Sequence, residues 1–156
     1  MFAEIYKAIE TELVAAFPKV SIHDVYPQSK KIEKVPAIFF ELTDFEPVDD
    51  PMTGQIDFET HWEARIITPP RALKSQLTAR DMAAQIALAI HNKTFVDYAK
   101  PAHIVRCADD NFDLSVAGYE VWVCEWTQVV RLGASDWDSD AMYPELAKFP
   151  QGEPSP

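Results

Sequence analysis

Four histidines, two cysteines and several spaced aspartates are the residues of this chain with the types needed for chemistry. The histidines (His23, His61, His91 and His103) are scattered, and no HxH, HExxH or CxxC occurs. Zinc sites draw their ligands from such short spacings, so a metal centre is not expected. His61 and Glu63 stand two apart. On a strand they share a face, where an imidazole beside a carboxylate could move a proton or hold a cation. A solvated strand face carries the same pair for no chemical reason, and that is the preferred reading. Asp136, Asp138 and Asp140 in DWDSDA space their oxygens like the opening of a calcium loop. Ala141 then stands where the sharp turn needs glycine, and Ala147 where a bidentate glutamate is needed. Asp109, Asp110 and Asp113 are expected to shape a turn. Cys107 and Cys124 have no histidine nearby. A simple hairpin turning near Asp113 would set Cys107 opposite residue 120, with the two sulfurs apart. They are therefore expected to be buried free thiols in a reducing compartment.

The glycines are Gly54, Gly118, Gly133 and Gly152. None belongs to a GxGxxG or GxxxxGK[ST] loop, so the bare backbone that cradles a phosphate is missing. There is no GxSxG elbow. The expectation is a chain that is not an enzyme, with no catalytic residue, no cofactor and no metal.

Charge narrows the partners. A net charge of −11 argues against specific nucleic-acid binding, which places Lys and Arg on phosphates. No apolar run reaches the roughly 18 residues that cross a bilayer, so no membrane partner is expected. The opening MFAEIYKAIETELV lacks the basic and apolar regions of a signal peptide, which points to the cytoplasm. The charge is also uneven. From Glu41 to Glu63 there are eight acids and no Lys or Arg, whereas from Arg71 to Lys93 there are four bases and one acid. A solvated loop and an ordinary helix would account for this. The sharper reading is that Asp49 and Asp50 on one copy meet Arg71 and Lys74 on the next.

The elements that carry these residues follow from periodicity. Phe2, Ile5, Tyr6, Ile9, Leu13 and Ala16 recur at three and four and predict a helix over 2–17, ended by Pro18. Val20–Tyr26 is a short strand candidate, and Val35–Leu42 (VPAIFFEL) a stronger one. Asp44–Gly54 reads as an acidic loop. Ile56, Phe58, Thr60, Trp62, Ala64 and Ile66 alternate with Asp57, Glu59, His61, Glu63 and Arg65. Such alternation predicts one long strand with a buried face and a charged face. After Pro69-Pro70 a helix is expected over 71–92. Ala72, Ala79, Ala83, Ile86, Ala87 and Ile90 share one face of it, while Leu77, Ala84 and Leu88 lie off that face. A helix apolar nearly all round is buried deeply, or once in its core and once against a partner, and the second is favoured in a chain this small.

Ala102–Ala108 is a further strand candidate, and YEVWVCEWTQVVRL (119–132) a long one. Trp122, Cys124, Trp126, Gln128 and Val130 share one of its faces. From Gly133 onward the pattern loses its period and reads as an extended arm. Trp137, Tyr143 and Phe149 are spaced as anchors for another surface. The expected fold is α+β: a mostly antiparallel sheet of four to five strands, two helices packed on one face, and an extended C-terminal arm. The domain spans 1–132 and the arm 133–156.

Several segments together carry a resemblance. They are the opening helix, VPAIFFEL, IDFETHWEARI, the alanine-rich helix behind it, and DDNFDLSVAGYEVWVCEWTQVVRLGASDW. Over roughly residues 1–137 the set resembles the tail terminator subunits of Mu-like contractile-tailed phages and of related phage-tail-like bacteriocins. The resemblance implies a small α+β subunit that forms a ring, usually of six copies, on the head-proximal end of the tail tube. Such a ring stops tube growth, contacts the sheath in contractile tails, and offers the surface that the head connector binds. It implies assembly in the bacterial host cytoplasm and residence in the virion or tail-like particle. No catalytic residue carries over. The interface candidates are Asp49, Asp50, Arg71, Lys74, Leu77, Leu88, Trp137, Tyr143 and Phe149. One alternative is another head–tail connector or completion subunit. The other is a small dimeric ligand-binding protein using the sheet near Trp62, Trp122 and Trp126.

Overall fold

The strand predicted from perfect alternation is the middle of the sheet. In the computed structural model, described over residues 2–23, 34–69, 78–110 and 118–135, the elements run α1 (Phe2–Ala16), β1 (Ser21–His23), β2 (Ala37–Pro47), β3 (Ile56–Thr68), α2 (Ala79–Ile90), β4 (His103–Asp109) and β5 (Glu120–Leu132). The five strands lie in the order β1-β2-β3-β5-β4. β1 joins β2 in parallel, and every other pairing is antiparallel. This is the α+β architecture expected from the sequence.

Both helices cover one face of the sheet. Ile5, Ile9 and Leu13 of α1 and Met82, Ala83, Ile86 and Ile90 of α2 are buried against Ile38, Phe40, Trp62, Ala64, Ile66, Cys124, Trp126 and Val130. Each fully buried large aliphatic side chain contributes about 1.5–3 kcal/mol of transfer free energy. Trp62 and Trp126 sit directly opposite each other in the β3–β5 register, with their rings stacked at 6.2 Å. Tyr6 of α1 meets Trp62 edge-on at 4.9 Å, and its hydroxyl accepts a hydrogen bond from Leu42 N at 2.9 Å. That bond ties the helix to the sheet by a polar group as well as by apolar area. Thr60 Oγ1 donates to Gln128 O at 2.6 Å and accepts from Trp62 Nε1 at 2.9 Å, so these groups satisfy one another, whereas buried Trp126 Nε1 and Gln128 Oε1 have no hydrogen-bond partner among the described residues.

The structure corrects two expectations. The acidic loop is shorter than its composition suggested, because β2 continues through Pro47. Asp44, Phe45 and Glu46 pair with His61, Thr60 and Glu59 of β3, after a register shift between Leu42 and Asp44. Phe45 explains the extension: its ring lies 5.4 Å from that of Phe58 and 5.3 Å from that of Phe2. The aromatic contacts hold an acidic segment in the ladder that residue counting assigned to solvent. The second correction is the register of β4 against β5. Cys107 faces Cys124, not residue 120. The connection between these strands is longer than a tight turn, and a second register shift falls between Ile104 and Arg106. Both cysteines are free thiols in this structure, but only Cys124 is buried as expected; Cys107 is half-buried.

Candidate functional site

The second face of the sheet carries the charges. Its apolar end is small and consists of Ala37, Phe39, Ile67 and Val121, with Val35 packed against them. Beyond it, period-2 alternation aligns like charges across strands. Glu41 stands opposite Glu63, Glu63 opposite Glu125, and Arg106 opposite Glu125. Carboxylates directly opposite one another repel. Two guanidiniums relieve the row. Arg106 binds Glu125 with both arms at 2.8 Å, and this pairing holds the Glu125 carboxyl below the usual glutamate range. Arg65 donates to Asp110 at 2.9 Å, lies 3.5 Å from Glu41 and pairs with Glu63. Burial pushes Glu63 above the usual range; Arg65 opposes that shift and Glu41 adds to it. The band of Glu41, Glu63, Glu125 and Asp110 thus holds two more carboxylates than guanidiniums.

His61 and Glu63 share this face, as their spacing predicted, but they face different partners. His61 Nε2 lies 4.0 Å from Glu46, while Glu63 is engaged with Arg65. Among the described residues, no group of three or more His, Cys, Asp and Glu side chains is arranged to hold a metal. A hollow of about 210 Å³ lies over Thr43, His61, Glu63, Val105 and Glu125. Another of about 200 Å³ lies over Asp57, Tyr98, Lys100 and Arg131. Both fall below the roughly 300–1,000 Å³ of small-molecule pockets. Trp62 and Trp126, each 1% exposed, belong to the core, and Trp122 is half-buried against it.

Exposed apolar surface lies elsewhere. Asp49 and Asp50 are exposed in the turn that joins β2 to β3. Asp50 Oδ1 accepts from Met52 N at 2.8 Å, and Met52 and Gly54 both take positive φ, which turns the chain back into β3. Around them Phe45, Val48, Met52 and Ile56 are exposed apolar residues, Met52 at 80%. The sequence reading missed these four, although an apolar residue recurring every three or four positions within an acidic stretch was the available signal. Gln55 Nε2 donates to Gly133 O at 3.1 Å, which joins this hairpin to the end of β5.

α2 presents a second surface. Its core face is Ala79, Met82, Ala83, Ile86 and Ile90, while Leu88 stands 81% exposed beside exposed Ala84. Ala84 and Leu88, two of the three off-face residues of the sequence reading, therefore have no core to fill. Arg71, Lys74, Leu77, Trp137, Tyr143 and Phe149 lie outside the described residues, as does the run Asp136–Asp140, so the structure neither joins nor separates the acidic and basic patches.

No protein-family model matches the sequence, and no curated protein is significantly similar to it. Solved structures are similar. The sheath/tube terminator of an extracellular contractile injection system, in its extended state, superposes with a TM-score of 0.56 at 14% identity, covering 89% of this chain and 59% of that one. The chain thus spans less than two thirds of that terminator's length. A chain of the virion of a native gene transfer agent particle superposes with a TM-score of 0.55 at 12% identity, covering 81% of this chain and 94% of that one. At these identities the likeness is one of fold, and the fold is the one shared by a sheath/tube terminator and a gene transfer agent virion protein, in keeping with the resemblance to tail terminators.

Proposed function

We propose that this protein is a non-enzymatic assembly subunit that caps the head-proximal end of a phage tail or phage-tail-like tube as a ring of like copies, with six as the expected number. The ring ends polymerisation of tube and sheath and offers the surface to which a head connector binds. The observation that supports it best is the fold shared with a sheath/tube terminator over 89% of this chain. Two further features suit a ring. A closed ring is heterologous, so each copy needs two different patches. The exposed apolar residues of the β2–β3 hairpin and exposed Leu88 on α2 are two such patches. The acidic excess would let DNA pass a ring lumen without adhering.

Purified protein mixed with assembled tail tubes and viewed by electron microscopy tests this reading. One terminal cap per tube is the expected result. Binding along the tube wall, or none at either end, would count against it. A second reading, a head–tail connector or completion subunit, draws on the likeness to a virion protein of which 94% is covered. Retention on heads that lack tails would favour that reading.

A further inference from the structure

The two cysteines of the chain are positioned to react with each other. Cys107 on β4 and Cys124 on β5 are directly paired in the antiparallel register, and their sulfurs lie 3.3 Å apart. Directly opposed residues of antiparallel strands hold their Cα atoms about 4.5–5.5 Å apart, within the roughly 4.4–6.8 Å that a disulfide spans. Both side chains point to the helix-covered face, where Cys107 Sγ also lies 3.8 Å from the carbonyl of Ala83 in α2. A single thiol proton serves one of these two acceptors at a time, so the Cys107 sulfur is not locked onto either. The two sulfurs differ in access: Cys124 is wholly buried and Cys107 partly exposed.

We propose that Cys107 and Cys124 form a redox-sensitive modification site, in which oxidation by a small-molecule disulfide closes a cross-strand bridge between β4 and β5. Cys107 is the entry sulfur. Its thiolate attacks one sulfur of oxidised glutathione, forming a mixed disulfide and releasing one glutathione thiolate. Cys124 then gives up its proton, and its sulfur attacks Cys107 Sγ and expels the second glutathione. Two protein thiols are oxidised, one glutathione disulfide is reduced to two thiols, and the protons pass to the departing thiolates. Burial, and then the neighbouring Cys107, hold the Cys124 thiol well above the ordinary thiol range, so Cys124 is ill suited to make the first attack. Within the mixed disulfide it needs no access to solvent, because its target is already in contact.

The bridge acts at an edge of the sheet. β4 is an edge strand held on one side by β5, and Val105 at its register shift is 55% exposed. A covalent link at Cys107 fixes that edge and closes the connecting segment into a loop. This site stands on its own geometry, so a protein that oxidises as described but never caps a tube would overturn the proposed function and leave the bridge intact.

The test is titration of the native wild-type protein with oxidised glutathione, followed by iodoacetamide labelling after unfolding, and mass spectrometry. The expected result is loss of both labels, a mass lower by two hydrogen atoms, a peptide pair linked through Cys107 and Cys124, and a thermal midpoint raised by about 5 °C. In Cys124→Ser one glutathione should remain on Cys107, and in Cys107→Ser none should attach. Two labelled thiols after treatment with excess oxidised glutathione would overturn the proposal, as would disulfide-linked dimers in place of the internal bridge. Equal glutathionylation of the two variants would overturn the order of attack.

Discussion

Asp57 and Arg131 are the clearest ion pair at the residue scale. Asp57 is 5% exposed, and Arg131 reaches it with Nε at 2.7 Å and Nη2 at 2.9 Å from the facing strand. The hydrogen bonds from Arg131 hold the Asp57 carboxyl below the usual aspartate range, against the opposing effect of burial. A depressed folded pKa gives stability that is fully present above the unfolded value of about 3.9 and is lost as pH falls through the folded value. Arg131→Ala should lower stability at neutral pH, an effect that solvent screening of the exposed guanidinium keeps small. Urea titrations from pH 7 to pH 3 should show a shallower acid-side loss for the variant than for the parent. Glu63 has the opposite sign. Its folded pKa is raised, so its ionised form opposes folding and protonation relieves the cost. Glu63→Gln should be at least as stable as the parent at pH 7, with any advantage gone below about pH 4. Arg65→Ala, which leaves Glu41, Glu63 and Asp110 without their shared cation, should lose about 2 kcal/mol in the same assay.

At the scale of elements, α2 depends on its first turn. Thr78 is the N-cap: its Oγ1 accepts from Asp81 N at 3.2 Å and donates to the Asp81 carboxylate at 2.6 Å. Thr78→Ala should cost about 1 kcal/mol of stability, read from denaturant midpoints. The β2–β3 hairpin depends on side chains that the loop composition concealed. Phe45 bridges Phe2 and Phe58, so the hairpin base is tied to α1 while its tip stays exposed. That division suits an element whose outer end meets another chain.

For the whole molecule the predictions concern mass. Leu88→Glu removes an exposed apolar side chain and should leave monomer stability within about 0.5 kcal/mol of the parent, since surface changes away from packing are nearly neutral. Light scattering across a concentration series should nonetheless show a lower oligomer mass, or tube capping should weaken. Unchanged mass and capping would remove α2 from the interface. Charge reversal at Asp49 and Asp50 should weaken the ring, and reversal at Arg71 and Lys74 should restore it. If neither reversal alters the mass, the acidic and basic patches do not meet between copies.

The helix–strand order, the long strand over 56–66 and the apolar stripe of each helix were legible in the sequence. These follow from periods of 3.6 and 2 that are written locally in Ile5–Ile9–Leu13 and in residues 56–66. It also marked Leu88 as off the core face, because that is a matter of angle around a single helix. Whatever depends on register between distant segments emerged with the folded sheet. The length of β2 was hidden because Phe45 finds its partners in Phe2 and Phe58, far off in the chain. The row of Glu41, Glu63 and Glu125 exists because three strands align, and no one strand specifies that alignment. The meeting of Cys107 with Cys124 was missed for the same reason: a few residues more in a connection, and one shift along an edge strand, change which side chains face each other across a sheet.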